Sequence, residues 1–234
     1  MNHPNSTDDV AVVIGATGGI GSALLRRLQG TCGFGVVVGL SRTSTPALDL
    51  GDEASIAACA DFISRHGTLR LVLVATGLLH RTGIQPEKSI RELNAASLTD
   101  MFAVNTIGPA LVLKHFLPLL ARDGRAVLAA LSARVGSIGD NRLGGWYGYR
   151  ASKAALNQFV RTAAVELHRR QRQAVCVALH PGTVATQLSS PFGKLGLEVQ
   201  APAVAAARLL RVIDGLGPAD NGNFFDQHGL AVPW

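Results

Sequence analysis

The chain of 234 residues is long enough for one α/β domain with a full core, and 47% of it is hydrophobic. Its formal charge of +6 comes mostly from single arginines spread along the sequence, which argues against a nucleic-acid surface and suits a small anionic partner. No apolar run reaches the roughly eighteen residues of a membrane span and no apolar leader opens the chain, so the expectation is a cytoplasmic protein with no membrane partner.

Residues 1–9 read as a flexible polar tail, and residues 10–234 as one domain without repeats. The bare apolar run Val10-Ala11-Val12-Val13-Ile14 predicts a strand buried on both faces. It leads into Gly15-Ala16-Thr17-Gly18-Gly19-Ile20-Gly21 and then a helical pattern over 22–28. Strand, glycine turn and helix in this order suit a dinucleotide: glycines let the backbone approach a pyrophosphate, and the N–H groups of the helix start bind it.

A second strand, Val36-Val37-Val38, ends in Gly39-Leu40-Ser41-Arg42. An NAD-preferring site would carry an acid at this corner to bind the ribose hydroxyls. Ser41 and Arg42 stand there instead, and a guanidinium can grip a 2′-phosphate, so NADP is favoured over NAD. Further strand-like runs are Leu71-Val72-Leu73-Val74, Ala126-Val127-Leu128 and Ala174-Val175-Cys176-Val177-Ala178-Leu179, with helical segments over 98–120 and 146–170. This alternation predicts a doubly wound parallel sheet with helices on both faces. Phe224-Phe225-Asp226 reads as a last edge strand. The basic cluster Arg169-Arg170-Gln171-Arg172 falls at a helix end, where it complements the dipole. Cys32, Cys59 and Cys176 are scattered, as are the seven histidines, which predicts buried reduced thiols and no metal site.

Tyr149 and Lys153 lie four residues apart on the last long helix, so their side chains share a face. A phenol is a poor acid near its ordinary pKa of about 10. A neighbouring ammonium would favour the phenolate and bring the pair into range for moving a proton to or from a carbonyl oxygen. Asn105 sits in mid-helix, where an asparagine side chain competes for backbone groups.

These motifs together resemble the short-chain dehydrogenase/reductase family. Gly15, Gly19 and Gly21 match its Gly-x-x-x-Gly-x-Gly loop, Tyr149 and Lys153 its active-site pair, and Asn105 the asparagine of its fourth helix. Pro181-Gly182-Thr183-Val184-Ala185-Thr186 matches its Pro-Gly-x-x-x-Thr segment. The likeness runs over residues 10–234. Within the family, Ala133-Arg134-Val135-Gly136-Ser137 and Gly144-Gly145-Trp146-Tyr147-Gly148-Tyr149-Arg150 resemble the bacterial C-factor and sniffer-type carbonyl reductase branch.

The resemblance implies a single Rossmann domain with strand order 3-2-1-4-5-6-7. It implies that Thr17, Gly18 and Ile20 join the three glycines at the pyrophosphate, that Asp49 and Leu50 meet the adenine, and that Ala75, Thr76 and Gly77 close the cleft. Both asparagines that the family places before that glycine are absent here. Pro181, Gly182, Thr183, Val184 and Thr186 would line the nicotinamide end, Lys153 would hold the ribose hydroxyls, and Asn105 would hold a water relaying protons from Lys153. The family's serine beside the tyrosine is replaced: in Leu131-Ser132-Ala133-Arg134-Val135-Gly136 its place is taken by Ala133. Ser132 is taken as the substitute, although in extended backbone it faces the other way, with Ser137 as the alternative.

The expected function is NADP-dependent reduction of an aldehyde or ketone, or oxidation of a secondary alcohol, by hydride transfer with Tyr149 and Lys153 as the acid/base pair. The alternative is a cofactor-binding signalling protein on the same fold with little turnover. Residues 187–201, including Phe192, Leu195 and Leu197, would form a mobile apolar lid. The resemblance also implies a homodimer or homotetramer, with Trp234 buried against the lid or in a neighbouring subunit.

Overall fold

The computed structural model describes residues 8–31, 33–190, 192 and 198–234. Most of the N-terminal tail, Cys32, Leu195, Leu197 and part of the expected lid therefore lie outside the described residues.

Strand β1, Asp9–Ile14, is buried along its whole length. It is followed by α1 (Gly19–Gln29), β2 (Val36–Leu40), α2 (Glu53–Ile63) and β3 (Thr68–Val74). Then come α3 (Ala95–Phe102), α4 (Gly108–Phe116), β4 (Ala126–Leu131), α5 (Tyr147–Arg170) and β5 (Ala174–Leu179). Two short strands, β6 (Thr183–Val184) and β7 (Val199–Gln200), precede α6 (Pro202–Gly215) and β8 (Phe224–Phe225). Six strands form one sheet in the order β2-β1-β3-β4-β5-β8, every pair parallel, while β6 and β7 pair separately.

The alternation of side chains along β1 divides the core in two. Val10, Val12 and Ile14 face Ile56 of α2, Phe116 of α4, and Leu156 and Val160 of α5. Ala11 and Val13 face Leu24 and Leu28 of α1 and Leu209 and Ile213 of α6. Both layers are needed because a central parallel strand has no solvent face; each fully buried Val or Ile contributes about 1.5–3 kcal/mol.

The sheet lacks the outermost strand expected beside β2. Between β2 and α2 the single Ser44 hydroxyl proton is shared between the carbonyls of Ser41 (2.8 Å) and Pro46 (2.7 Å), which closes the segment as a turn. Pro46 has no N–H to give to a ladder. Two backbone bonds to the Ser41 carbonyl, from Leu48 N–H at 2.8 Å and Ser44 N–H at 3.2 Å, tie the segment to the end of β2. The strands that remain keep the expected sequence of neighbours.

Ala95–Leu119 forms one rod in which α3 and α4 are joined through a π-helical turn, Ala103–Ile107. An 18-residue window of this rod has a mean hydropathy of 1.3, so by length and composition it could cross a membrane, a possibility the sequence reading had excluded. In the structure Met101, Val112, Leu113 and Phe116 are buried in the protein, and 39% of that window is buried. The chain leaves β1 toward β2 on one side and returns to β3 on the other. The crevice at the carboxyl ends of β1 and β3 is thus the topological switch point, where doubly wound sheets bind ligands.

Candidate active site

Gly15 opens the switch-point crevice with φ +84°, and a Cβ there would stand 2.8 Å from the Ala75 carbonyl oxygen. A Cβ on Gly21 would stand 2.1 Å from the Gly15 carbonyl oxygen, so α1 reaches β1 only because both residues lack side chains. Gly18 caps α1 with no side-chain hydrogen bond, and its first turn carries no acid. The first-turn N–H groups of Gly19 and Ile20 are therefore available to an anion, and Thr17 lies exposed beside them. Thr186 closes the other side: its Cγ2 lies 2.6 Å from where a Gly19 Cβ would be. The Thr76 hydroxyl is buried beside this turn without a partner. An uncapped helix start, a cradle that a Cβ would fill and an unpaired hydroxyl fit a dinucleotide phosphate.

The Leu40 carbonyl accepts from the N–H groups of Gly15 (2.9 Å) and Ala16 (3.2 Å), which sets Ser41 and Arg42 next to the turn. The buried Ser41 hydroxyl pairs with Thr43, whereas Arg42 is exposed and makes no ion pair among the described residues. No acid stands at this corner. Asp49 is exposed and accepts from Gly51 N–H at 2.8 Å. Leu50 lies against Gly108, where a Cβ would be 2.5 Å from its own Cβ.

Asn105, in the π-helical turn, is completely buried. Its Oδ1 accepts from Leu78 N–H and its Nδ2 donates to the Leu78 carbonyl, both at 2.7 Å. The second Nδ2 proton goes to Ser152 Oγ at 3.1 Å, and Ser152 Oγ donates to the Tyr149 carbonyl at 2.9 Å. The Thr106 hydroxyl donates to the Ser152 carbonyl at 2.8 Å. The helical rod thus pins α5 at the residue between Tyr149 and Lys153. Lys153 Nζ donates to the Leu131 carbonyl at 2.9 Å and lies 3.8 Å from where a Gly77 Cβ would be. Gly77, Asn105 and Lys153 therefore meet at the ends of β3 and β4, with Tyr149 four residues before Lys153 on α5.

Burial pushes the Tyr149 phenol up to about 12 and pulls the Lys153 ammonium down to about 8. The expected lowering of the phenol by the ammonium does not appear. Removal from water disfavours the charged form of each group, and that effect dominates both.

The two serine candidates do not join this group. Ser132 Oγ donates to Asn157 Oδ1 at 2.6 Å, on the far side of the strand end. Ser137 Oγ accepts from Asp140 N–H at 3.1 Å. The residue that packs with Tyr149 is Ala133, in an apolar cluster with Leu79, Ile84 and Met101.

Trp146, Phe192 and His80 complete this cluster as an aromatic roof. The Trp146 ring is edge-on to Tyr149 with centroids 6.2 Å apart and lies 5.1 Å from Phe192, which meets His80 at 5.4 Å. Tyr147 points to solvent. Glu87 and Arg150, which the sequence reading passed over, hold the loop that carries Trp146. Arg150 was visible only as a neighbour of Tyr149, and Glu87 as one acid in a polar loop.

Gly182, with φ +76°, turns the Pro-Gly segment, and Gln200 Nε2 donates to the Pro181 carbonyl at 2.7 Å. Thr183 and Val184 form β6 beside β7. Trp234 does not reach the described part of the lid: it stacks on Phe224 at 5.7 Å, and its carbonyl accepts from Gly139 N–H at 2.9 Å. A separate cavity of ≈ 690 Å³ at the opposite end of the strands, bordered by Arg27, Arg70, Arg125 and Arg211, contains none of these groups.

The family model for short chain dehydrogenases matches residues 9–194. The C-signal of Myxococcus xanthus is 40% identical over 147 residues, which cover 62% of this chain and 84% of that one. The 1-hydroxy-2-glutathionyl-2-methyl-3-butene dehydrogenase of Rhodococcus sp. (strain AD45) is 30% identical over 233 residues, covering 95% and 98%. Among solved structures, NADPH-bound carbonyl reductase from chicken fatty liver is similar with a TM-score of 0.83 and 25% identity, covering 97% of this chain and 99% of that one.

Proposed function

The chain belongs to the short chain dehydrogenase family, on its C-factor and carbonyl reductase side, and from that premise we propose that it reduces an aldehyde or ketone to the alcohol with NADPH. The observation that carries this reading is that Lys153 Nζ and Asn105 Oδ1 lie beside Gly77 at the switch-point crevice, with Tyr149 four residues before Lys153 on the same helix. Gly15, Gly18, Gly19, Ile20 and Gly21 would hold the pyrophosphate. Arg42 and Ser41 would hold the 2′-phosphate, and the segment from Pro181 to Thr186 the nicotinamide end. Bound nicotinamide supplies the hydride.

Tyr149 supplies the proton. With its phenol near 12 it is protonated at neutral pH and ready to donate to an oxygen that becomes basic as hydride arrives. Lys153 is mostly cationic below its value of about 8 and stabilises the negative charge that develops beside it. Asn105 positions the helix, because its amide is already committed to Leu78 and Ser152. The cluster of Leu79, Ile84, Met101, Ala133, Trp146 and Phe192 suits an apolar carbonyl compound. The buried free thiols of Cys59 and Cys176 suit a reducing, cytoplasmic compartment. Exposed Ile107 on the helical rod and Phe159 and Val165 on α5 support a homo-oligomer formed through these helices.

A second reading is favoured by the likeness to C-signal and by the alanine at position 133: a cofactor-binding signalling protein with little turnover. NADPH and NADH oxidation against a panel of apolar aldehydes, ketones and quinones tests the choice. Turnover of at least one carbonyl with NADPH is expected. Tight NADPH binding with no turnover across the panel would favour the second reading.

A further inference from the structure

The turn Gly144-Gly145-Trp146 enters α5 through three consecutive left-handed residues, with φ of +63°, +64° and +54°. Glycine adopts this conformation freely, but a bulky L-residue holds it only where its surroundings enforce it. Two residues grip the turn from opposite sides, Glu87 through its backbone carbonyl as well as its carboxylate and Arg150 through its guanidinium. Glu87 is buried and takes the amide side: its carbonyl accepts from Trp146 N–H at 2.5 Å and its Oε2 from Gly148 N–H at 3.1 Å. A Cβ on Gly148 would fall 2.9 Å from Glu87 Oε1, so the contact depends on that glycine. A carboxylate here also opposes the positive end of the α5 dipole. Arg150 takes the carbonyl side, donating to Gly145 at 2.9 Å, Gly144 at 3.1 Å and Val135 at 3.2 Å.

We propose that Glu87 and Arg150 are positioning residues that together clamp Trp146 in its left-handed conformation and hold its indole as a fixed roof over Tyr149. The clamp rests on the carbonyl-reducing reading of the Tyr149 site for its effect on kinetics, but not for its effect on Trp146. The locked indole sets where an apolar substrate stops above the phenol. Released, the ring swings from the Tyr149 edge and the substrate loses one wall.

The test uses the full chain carrying Trp234→Phe, in which Trp146 is the remaining tryptophan of the two. Acrylamide quenching of Trp146 fluorescence is measured with Glu87→Ala, Glu87→Gln and Arg150→Lys added singly. Arg150→Lys is expected to increase quenching and red-shift the emission, because a lysine keeps the charge but not the three-armed fork, and Glu87→Ala to do so by a smaller amount, because it loses the carboxylate on Gly148 N–H but keeps the backbone carbonyl on Trp146 N–H. Glu87→Gln, whose amide oxygen still accepts from Gly148 N–H, is expected to match the parent. In kinetics, the first two should raise the carbonyl KM about tenfold while leaving NADPH affinity unchanged. Unchanged quenching in both Glu87→Ala and Arg150→Lys overturns the clamp whatever the kinetics; if Glu87→Ala does not fold, Arg150→Lys decides alone. Absence of carbonyl turnover in the parent would remove the oxidoreductase reading and leave the quenching result to decide the clamp.

Discussion

Asn105 holds Leu78 by both ends of its amide, with Oδ1 on the Leu78 N–H and Nδ2 on the Leu78 carbonyl, each at 2.7 Å. This two-point contact joins the π-helical turn of the rod to the loop that follows β3, and through Ser152 to the helix bearing Tyr149. Three of the four hydrogen-bonding positions of the amide are filled by protein, which makes the side chain a brace and leaves little of it for a water. Such π-turns recur at functional sites because they shift one residue out of helical register.

Asn105→Asp tests the brace. The carboxylate can still accept from Leu78 N–H but sets a second oxygen against the Leu78 carbonyl, which loses its donor. The expected loss of stability is about 1–3 kcal/mol or more, in line with an unsatisfied buried polar group, measured by urea unfolding. Wild-type stability in this variant would mean that the Leu78 contact is dispensable.

Tyr149→Phe removes the hydroxyl and keeps the ring against Trp146 and Ala133. Carbonyl reduction should fall about 10²–10⁴-fold, the usual contribution of a general acid, with NADPH affinity nearly intact. Steady-state kinetics and a fluorescence titration separate the two. Near-normal turnover would assign the acid elsewhere.

Arg42→Asp reverses the charge at the corner beyond β2. Each charge-assisted hydrogen bond lost from the 2′-phosphate should cost about 1.5–3 kcal/mol of NADPH binding, and the preference should move toward NADH. An unchanged NADPH:NADH ratio in titration calorimetry would place the phosphate contact on another residue.

Ser132→Ala and Ala133→Ser should act on different properties. The first strips the donor from buried Asn157 Oδ1 and should cost about 1–3 kcal/mol of stability with little change in kcat. The second adds a hydroxyl where the apolar cluster meets Tyr149 and should raise kcat, by up to about 10²-fold if the new donor reaches the reacting oxygen. A Ser132→Ala variant with full stability and no turnover would return the serine role to residue 132.

His180 carries a pH signature. Burial first, then Arg134, lowers its imidazole to about 4 against an ordinary 6.5, while Asp226 opposes the shift. Between these values the unfolded chain binds more protons than the folded one, so this contribution to stability is complete above pH 6.5 and is lost as pH falls toward 4. Melting temperatures across that range should fall less steeply for His180→Gln than for the wild type. Parallel curves would show that another group controls the acid limb.

How much was legible in the sequence can be judged residue by residue. The apolar run ending at Gly15, the absence of an acid after Leu40 and the spacing of Tyr149 and Lys153 are local features, set by strand burial, turn sterics and helix periodicity. They were enough to fix the doubly wound architecture and the family resemblance. The missing edge strand was not legible, since it depended on Ser44 closing a turn with two carbonyls that only the folded chain brings within reach. Nor was the side of the strand end that each serine faces: Ser132 turned to Asn157, and Ala133 took the place beside Tyr149.

The protonation of the pair also reversed the local expectation. Spacing along a helix says that an ammonium is near a phenol, but the cost of removing both from water depends on what the sheet, the rod and the Trp146 turn place around them. Glu87 and Arg150 are separated by 63 positions in the chain, and nothing in either local segment pairs them with one turn. Sequence determined the elements and the chemistry-bearing residues because those follow from interactions within a few residues. Tertiary structure alone decided the dielectric around Tyr149, the partner of each buried polar group and the roof above the site, because these arise where distant segments exclude water together.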